Sequence, residues 1–212
     1  MDFENKKIAG LLLFVGAAQF VLAAIIAEAL DTNYTFSQPM NWLGGGSAGL
    51  IFNSSLFLLG LFVIVSAYLV QRAFKDVQDG FSNKLFWFLM TMMGVGAAGI
   101  GIFNENLGDA HVVAVRIFWV FAVPTAIMSY KFQKKPLSYA SAILGLITLT
   151  AVILFLSEVY IPTSLDLYLG IGRGGMQRMI QYPVFLWVLG FGANLIGEYS
   201  TAKTPTHNFD KE

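Results

Sequence analysis

Six apolar runs, each about 20 residues and therefore long enough to cross a hydrocarbon core, dominate this 212-residue chain. They read as Ile8–Leu30, Ala48–Val70, Leu85–Phe103, His111–Tyr130, Leu137–Leu156 and Met176–Ile196. In lipid every backbone polar group must be satisfied within its own segment, which leaves helices as the form such runs can take. The connections and tails are too short to build a soluble domain. The predicted fold class is therefore all-α, a single six-helix transmembrane domain over 1–212, with 197–212 as a short polar tail.

The basic residues fall into every second connection. Lys6 and Lys7 precede the first run, Arg72, Lys75 and Lys84 follow the second, Lys131, Lys134 and Lys135 follow the fourth, and Lys203 and Lys211 follow the sixth. The opposite connections hold only Arg173 and Arg178, and Arg116 sits inside a run. That bias predicts cytoplasmic termini in a multi-pass protein of the cell membrane. Lys6-Lys7, the first run and Ala27-Glu28-Ala29 resemble a cleavable leader, but the run is longer than a leader's apolar core, so a retained span is expected.

Several function classes drop out. The formal net charge is zero and no basic stripe is present, so no nucleic-acid partner is expected. Cysteine is absent, which removes disulfides, thiolate metal sites and cysteine nucleophiles. Of the two histidines, His207 reads as a solvated residue of the tail, so a haem subunit would lack ligands. No cofactor and no metal are predicted. The run Gly170-Ile171-Gly172-Arg173-Gly174-Gly175 is not a dinucleotide fingerprint, because no strand precedes it. The halves of the chain do not match in loop lengths or motifs, and no inverted repeat is read.

Polar side chains gather at one set of run ends: Glu28, Asn53, Asn104, Glu105, Asp109, His111, Glu158, Gln177, Arg178, Gln181 and Tyr182. By the charge bias these ends are extracytoplasmic, and the cytoplasmic halves look nearly featureless. Arg116 lies about 7–8 Å deeper than His111 along a helix. A guanidinium at that depth calls for a carboxylate such as Asp109, a path back to the interface, or a ligand anion. His111 with Glu105 and Asp109 offers acid–base chemistry, with interfacial capping or a divalent cation as alternatives. Arg173 and Arg178 flank the start of the sixth helix, whose positive end suits a phosphate or carboxylate. The alternative is anchoring of the loop through Glu158 or Asp166. Gln177 with Gln181, and Arg178 with Tyr182, are expected to form a polar strip. Gly94, Gly96, Gly99, Gly101, Gly190, Gly192 and Gly197 read as helix-packing positions, and Pro124 and Pro183 fall inside spans.

The segments Met40-Asn41-Trp42-Leu43-Gly44, Ile51-Phe52-Asn53, Gly101-Ile102-Phe103-Asn104-Glu105 with His111, and Arg178 with Tyr182-Pro183 and Trp187 resemble those of the domain of unknown function 998 family, multi-span membrane proteins of archaea and bacteria. The resemblance runs from about the first helix to the sixth. It departs at Asn104, where proline is usual, and at Gln177, where an acidic residue often precedes the arginine. It implies six helices and draws attention to the extracytoplasmic motifs, but implies no reaction.

The expected function is recognition, with modification as an extension, of an anionic amphiphile or lipid headgroup. Arg116, Arg173 and Arg178 would hold the anion, and Asn53, Asn104, Gln181 and Tyr182 would orient it. His111 with Glu105 or Asp109 would transfer protons. Membrane lipid is the expected partner, with a homo-oligomer or a membrane complex as further partners. The alternatives are a transporter or channel component, which the lack of midplane polar residues disfavours, and a non-catalytic packing subunit.

Overall fold

The computed structural model describes residues 3–161 and 166–203. Six α-helices are found among the described residues: α1 (Phe3–Leu30), α2 (Gly49–Ala73), α3 (Gly80–Ile102), α4 (Asp109–Met128), α5 (Leu137–Tyr160) and α6 (Gly172–Lys203). All six are long and apolar enough to cross a membrane, and the protein is a multi-pass membrane protein. Each helix packs on its chain neighbours, and α1 against α6 closes the ring.

Most helices overrun the spans read from hydropathy. The α3 start is set by Asp79, whose carboxylate accepts the Ser82 backbone N–H at 2.7 Å, a capping bond that completes the first turn. The start of α6 moves from Met176 back to Gly172 because the glycine run is helical and packed. The Gly174 N–H donates to the Ser37 carbonyl at 3.0 Å, and a Cβ at Gly174 would stand 2.3 Å from the Gln38 carbonyl. Helix α6 also continues through Lys203, so part of the expected tail is helical. His207, Lys211 and Pro162 lie outside the described residues.

Close helix approach is bought with small residues, in register across three interfaces. Between α1 and α6, a Cβ at Gly10 would meet the Gly192 carbonyl at 2.6 Å, and one at Gly192 the Gly10 carbonyl at 2.8 Å. Between α2 and α3, Gly60 lies against Gly94 and the Ala98 backbone. Between α3 and α4, a Cβ at Gly96 would be 2.4 Å from the Phe118 nitrogen. A Cβ at Gly190 would meet nothing within 4 Å, so Gly190 is not a packing position, unlike the expectation. Aromatic side chains fill the centre: Phe20 packs edge-on against Phe52 and Phe185, and Phe86 stacks on Phe132 and meets Phe191 edge-on.

The connections 1–2, 3–4 and 5–6 share one end of the bundle, called the cap end below. The other end holds the two outer helix ends and is not featureless, as the sequence reading had it. Lys6 is 1% exposed, bonds the Glu198 carboxylate at 2.5 Å and stands 4.1 Å from the centre of the Phe74 ring. Nearby, the Trp187 indole donates to the Ser129 hydroxyl at 2.8 Å, and Ser141 donates to Gln133 at 2.6 Å. A lysine preceding an apolar run reads as an interface charge. Its burial depends on Glu198, 192 residues away, which no local pattern announces.

Candidate functional site

At the cap end, the chain between α1 and α2 folds over the bundle. Met40–Gly45 forms a 3-10 turn held from two sides. The Asn53 side chain donates to the Gly44 carbonyl at 2.8 Å, so tightly that a Cβ at Gly44 would stand 2.5 Å from the Asn53 Oδ1. Gln177 accepts the Asn41 backbone N–H at 3.4 Å, and Gln181 donates to the Asn41 side chain at 3.2 Å. Asn53 and Gln181, read as ligand contacts, bond this cap instead.

Arg178 is the anchor. It is 3% exposed and donates to Glu28 at 2.5 Å, to the Tyr34 hydroxyl at 2.7 Å and to the Phe36 carbonyl at 2.8 Å. Longer bonds reach the Gln38 and Gly174 carbonyls, and its guanidinium lies 4.0 Å from the Phe36 ring centre. The anchoring partner is Glu28 on α1, not Glu158 or Asp166. Those two carboxylates accept backbone N–H groups of their own connection, from Leu167, Tyr168 and Gly170. Carbonyls of residues 36–38 thus sit at the start of α6, where an anion had been expected. Tyr182 does not continue a polar strip. It is exposed and lines an apolar groove with Phe20, Ala24, Phe185 and Leu189 between α1 and α6.

Other predicted residues do converge. A cavity of about 180 Å³ between α4, α5, α6 and the cap is lined by Asn41, Trp42, Glu105, His111, Arg116, Trp119, Phe155, Tyr160, Arg173 and Gln177. His111 Nε2 lies 3.0 Å from the Glu105 carboxylate, and Nδ1 lies 2.7 Å from the Phe103 carbonyl. Both ring nitrogens face acceptors. A neutral imidazole has one N–H, so the His111–Glu105 pair is built to hold one further proton. The His111 hydrogen bond holds the Glu105 carboxyl below its ordinary range, against the opposing effect of burial, with smaller help from Trp42 and from the charge on Arg173.

Arg116 donates to the Tyr160 hydroxyl at 2.6 Å. The carboxylate partner considered for it is not found: among the described residues Arg116 has no ion pair, and the Asp109 side chain makes no hydrogen bond or ion pair. Asp109 is in the first turn of α4 and exposed, while Arg116 lies two turns on. Arg173 is exposed, with its guanidinium 5.7 Å from the Phe155 ring centre. Asn104 caps the short turn Glu105–Leu107 by accepting the Asn106 N–H at 3.1 Å. The sequence reading missed Trp42 and Tyr160 as cavity residues, whereas Gln177, expected in a polar strip with Gln181, does line the cavity. The interfacial tryptophan and the quoted motif around it were the available signals for Trp42. Tyr160 carried none.

Depth within the cavity is graded. His111, Asn41, Gln177, Trp119 and Phe155 are buried, whereas Val112, Arg116, Val159 and Tyr160 are exposed. Arg173 at the start of α6 and Trp42 on the cap are exposed as well, so the mouth lies among α4, α5, the start of α6 and the cap.

No curated protein and no solved structure matches the chain. A family model described as "Protein of unknown function (DUF998)" matches residues 14–194. The chain belongs to that family.

Proposed function

We propose that the protein binds an anionic amphiphile, a lipid whose headgroup carries phosphate or carboxylate, through the cavity between α4, α5 and α6. The observation that carries this reading is the pairing state of the two lining arginines: Arg116 and Arg173 have no carboxylate partner among the described residues, while the buried Arg178 has one. Both are exposed at the mouth, Arg116 on α4 and Arg173 at the start of α6, beside the exposed Val159 and Tyr160 of α5. A bound anion would supply the charge-assisted bonds these guanidiniums lack, and its acyl chains would leave between the same helices into lipid. Arg178, Asn53, Asn104 and Gln181 serve this site by holding its roof and walls rather than by touching the ligand.

The orientation in this reading follows the basic bias: termini inside, cap end outside, and the lipid drawn from the outer leaflet of the cell membrane. His111 and Glu105 stand inside the same cavity and are the groups through which a proton would pass in any modification of the headgroup.

Native mass spectrometry of the protein released from nanodiscs containing phosphatidic acid and phosphatidylcholine tests the proposal. Retained phosphatidic acid, lost in Arg116→Gln with Arg173→Gln, is the expected result. Retention equal for the two lipids, or unchanged in the double variant, defeats it and leaves a packing subunit as the better reading.

A further inference from the structure

A second chamber of about 310 Å³ adjoins the cavity at the cap end, within the size range of small-molecule sites, about 300–1,000 Å³. Trp42 and Glu105 line both spaces, so the two share a wall. The chamber is open to one side, is about half polar and half apolar, and carries no basic side chain in its lining. It therefore does not duplicate the anion site.

Its carboxylates are already engaged. Asp31 accepts the Asn33 and Ser47 backbone N–H groups, both at 3.2 Å, one on each oxygen. Glu105 is held by His111 at 3.0 Å. A cation would have to displace these donors. The groups left over are neutral: the side-chain amides of Asn33 and Asn106 make no hydrogen bond among the described residues, and Trp42 is 42% exposed. An indole face supplies apolar contact, and amides both donate and accept. Together they fit a ring with an apolar C–H face and a rim of hydroxyls.

We infer that this chamber receives an uncharged polyhydroxy ring, a sugar or inositol, stacked against Trp42 and hydrogen-bonded by Asn33 and Asn106. The inference rests on the proposed anion site for its wider meaning: a headgroup with its phosphate at Arg116 and Arg173 would place its polyol beyond the Glu105–Trp42 wall. The same chemistry could come from a free sugar, and the two sources separate experimentally.

Two measurements on the intact protein decide it. With 5-fluorotryptophan incorporated, the fluorine resonance missing from Trp42→Phe reports the chamber directly. It should shift saturably with myo-inositol or methyl glucoside, and not with inorganic phosphate or calcium chloride. In nanodiscs, phosphatidylinositol should bind about tenfold tighter than phosphatidic acid, about 1.4 kcal/mol. That preference should vanish in Asn33→Ala with Asn106→Ala, while phosphatidic acid binding stays unchanged. A shift with free polyol and no lipid preference assigns a free sugar, whereas a lipid preference alone assigns the lipid-linked group. The inference is overturned if neither appears, if calcium alone shifts Trp42, or if the preference survives the double substitution. Equal binding of both lipids without a polyol shift removes the chamber and leaves the anion site intact. A polyol shift with no lipid bound removes the anion site and leaves the chamber.

Discussion

Arg178 and Arg116 carry the same guanidinium in opposite circumstances, and the difference sets what each substitution costs. Arg178 is buried against Glu28, Tyr34 and loop carbonyls. Arg178→Leu strands the Glu28 carboxylate and should lower stability by about 3–5 kcal/mol, read as a large loss in thermal midpoint. Arg116 makes one bond, to Tyr160, from an exposed position, so Arg116→Leu should change stability by no more than about 0.5 kcal/mol. A comparable loss in both variants would show that Arg116 is structural. Glu105 gives the pH dependence. Its folded carboxyl is held below its ordinary range by His111, so the unfolded state takes up its proton first as pH falls. The stabilisation is complete above the ordinary glutamate value of about 4.3 and is lost as pH falls through the lower folded value. The thermal midpoints of the wild type and Glu105→Gln should therefore converge towards low pH. A gap constant from neutral to acid pH would mean that the His111 contact does not hold that proton. That polar residues cluster at these helix ends was legible in the sequence, because hydropathy marks where apolar runs stop. Which of them pair was not. Apart from the Gly174 carbonyl one turn back, the partners of Arg178 lie 140–150 residues away and meet it only once the chain after α1 folds back over α6.

Glycines decide how closely the helices approach, and the sequence overcounted them. A small residue in a span reads the same whether it faces a neighbour or lipid, so Gly190 and Gly192 look alike on paper. In the fold, Gly192 meets Gly10 and Gly190 meets nothing. The α2–α3 contact is the strictest. A Cβ at Gly60 would stand 2.3 Å from the Ala98 nitrogen and 2.6 Å from the Gly94 carbonyl, and both are backbone atoms that cannot rotate away. Gly60→Ala should cost about 1–3 kcal/mol through overpacking. Gly190→Ala should be neutral or stabilising by up to about 1 kcal/mol, as expected for an open helical site. Thermal unfolding of the two variants in one detergent makes the comparison, and equal midpoints would contradict the packing. The same element-scale logic places most of the glycine run inside α6 rather than before it. Its lack of side chains lets Gly174 lie against the carbonyls of residues 36–38, and the helix begins there.

At the scale of the whole molecule, the number of helices followed from hydropathy because each span must satisfy its own backbone in lipid. The ring order did not, since nothing local tells α1 that it will close against α6. Neither did the clasp of Lys6 with Glu198, which ties those two helices at the end opposite the cavity. The orientation proposed from the basic bias is open to a direct test, because the chain contains no cysteine and every introduced thiol reports alone. Asp76 and Lys134 lie exposed in the connections 2–3 and 4–5, and Asn33 and Asn106 lie exposed at the cap end. Single cysteines at Asp76 and Lys134 should resist a membrane-impermeant maleimide in intact cells and react once the membrane is opened. Cysteines at Asn33 and Asn106 should react without opening it. The reverse pattern would put the cavity mouth in the cytoplasmic leaflet, leaving its arginines and the His111–Glu105 pair in place but drawing their lipid from the other monolayer. A mixed pattern would contradict the alternating arrangement itself, since 2–3 and 4–5 lie at one end of the bundle and 1–2 and 3–4 at the other.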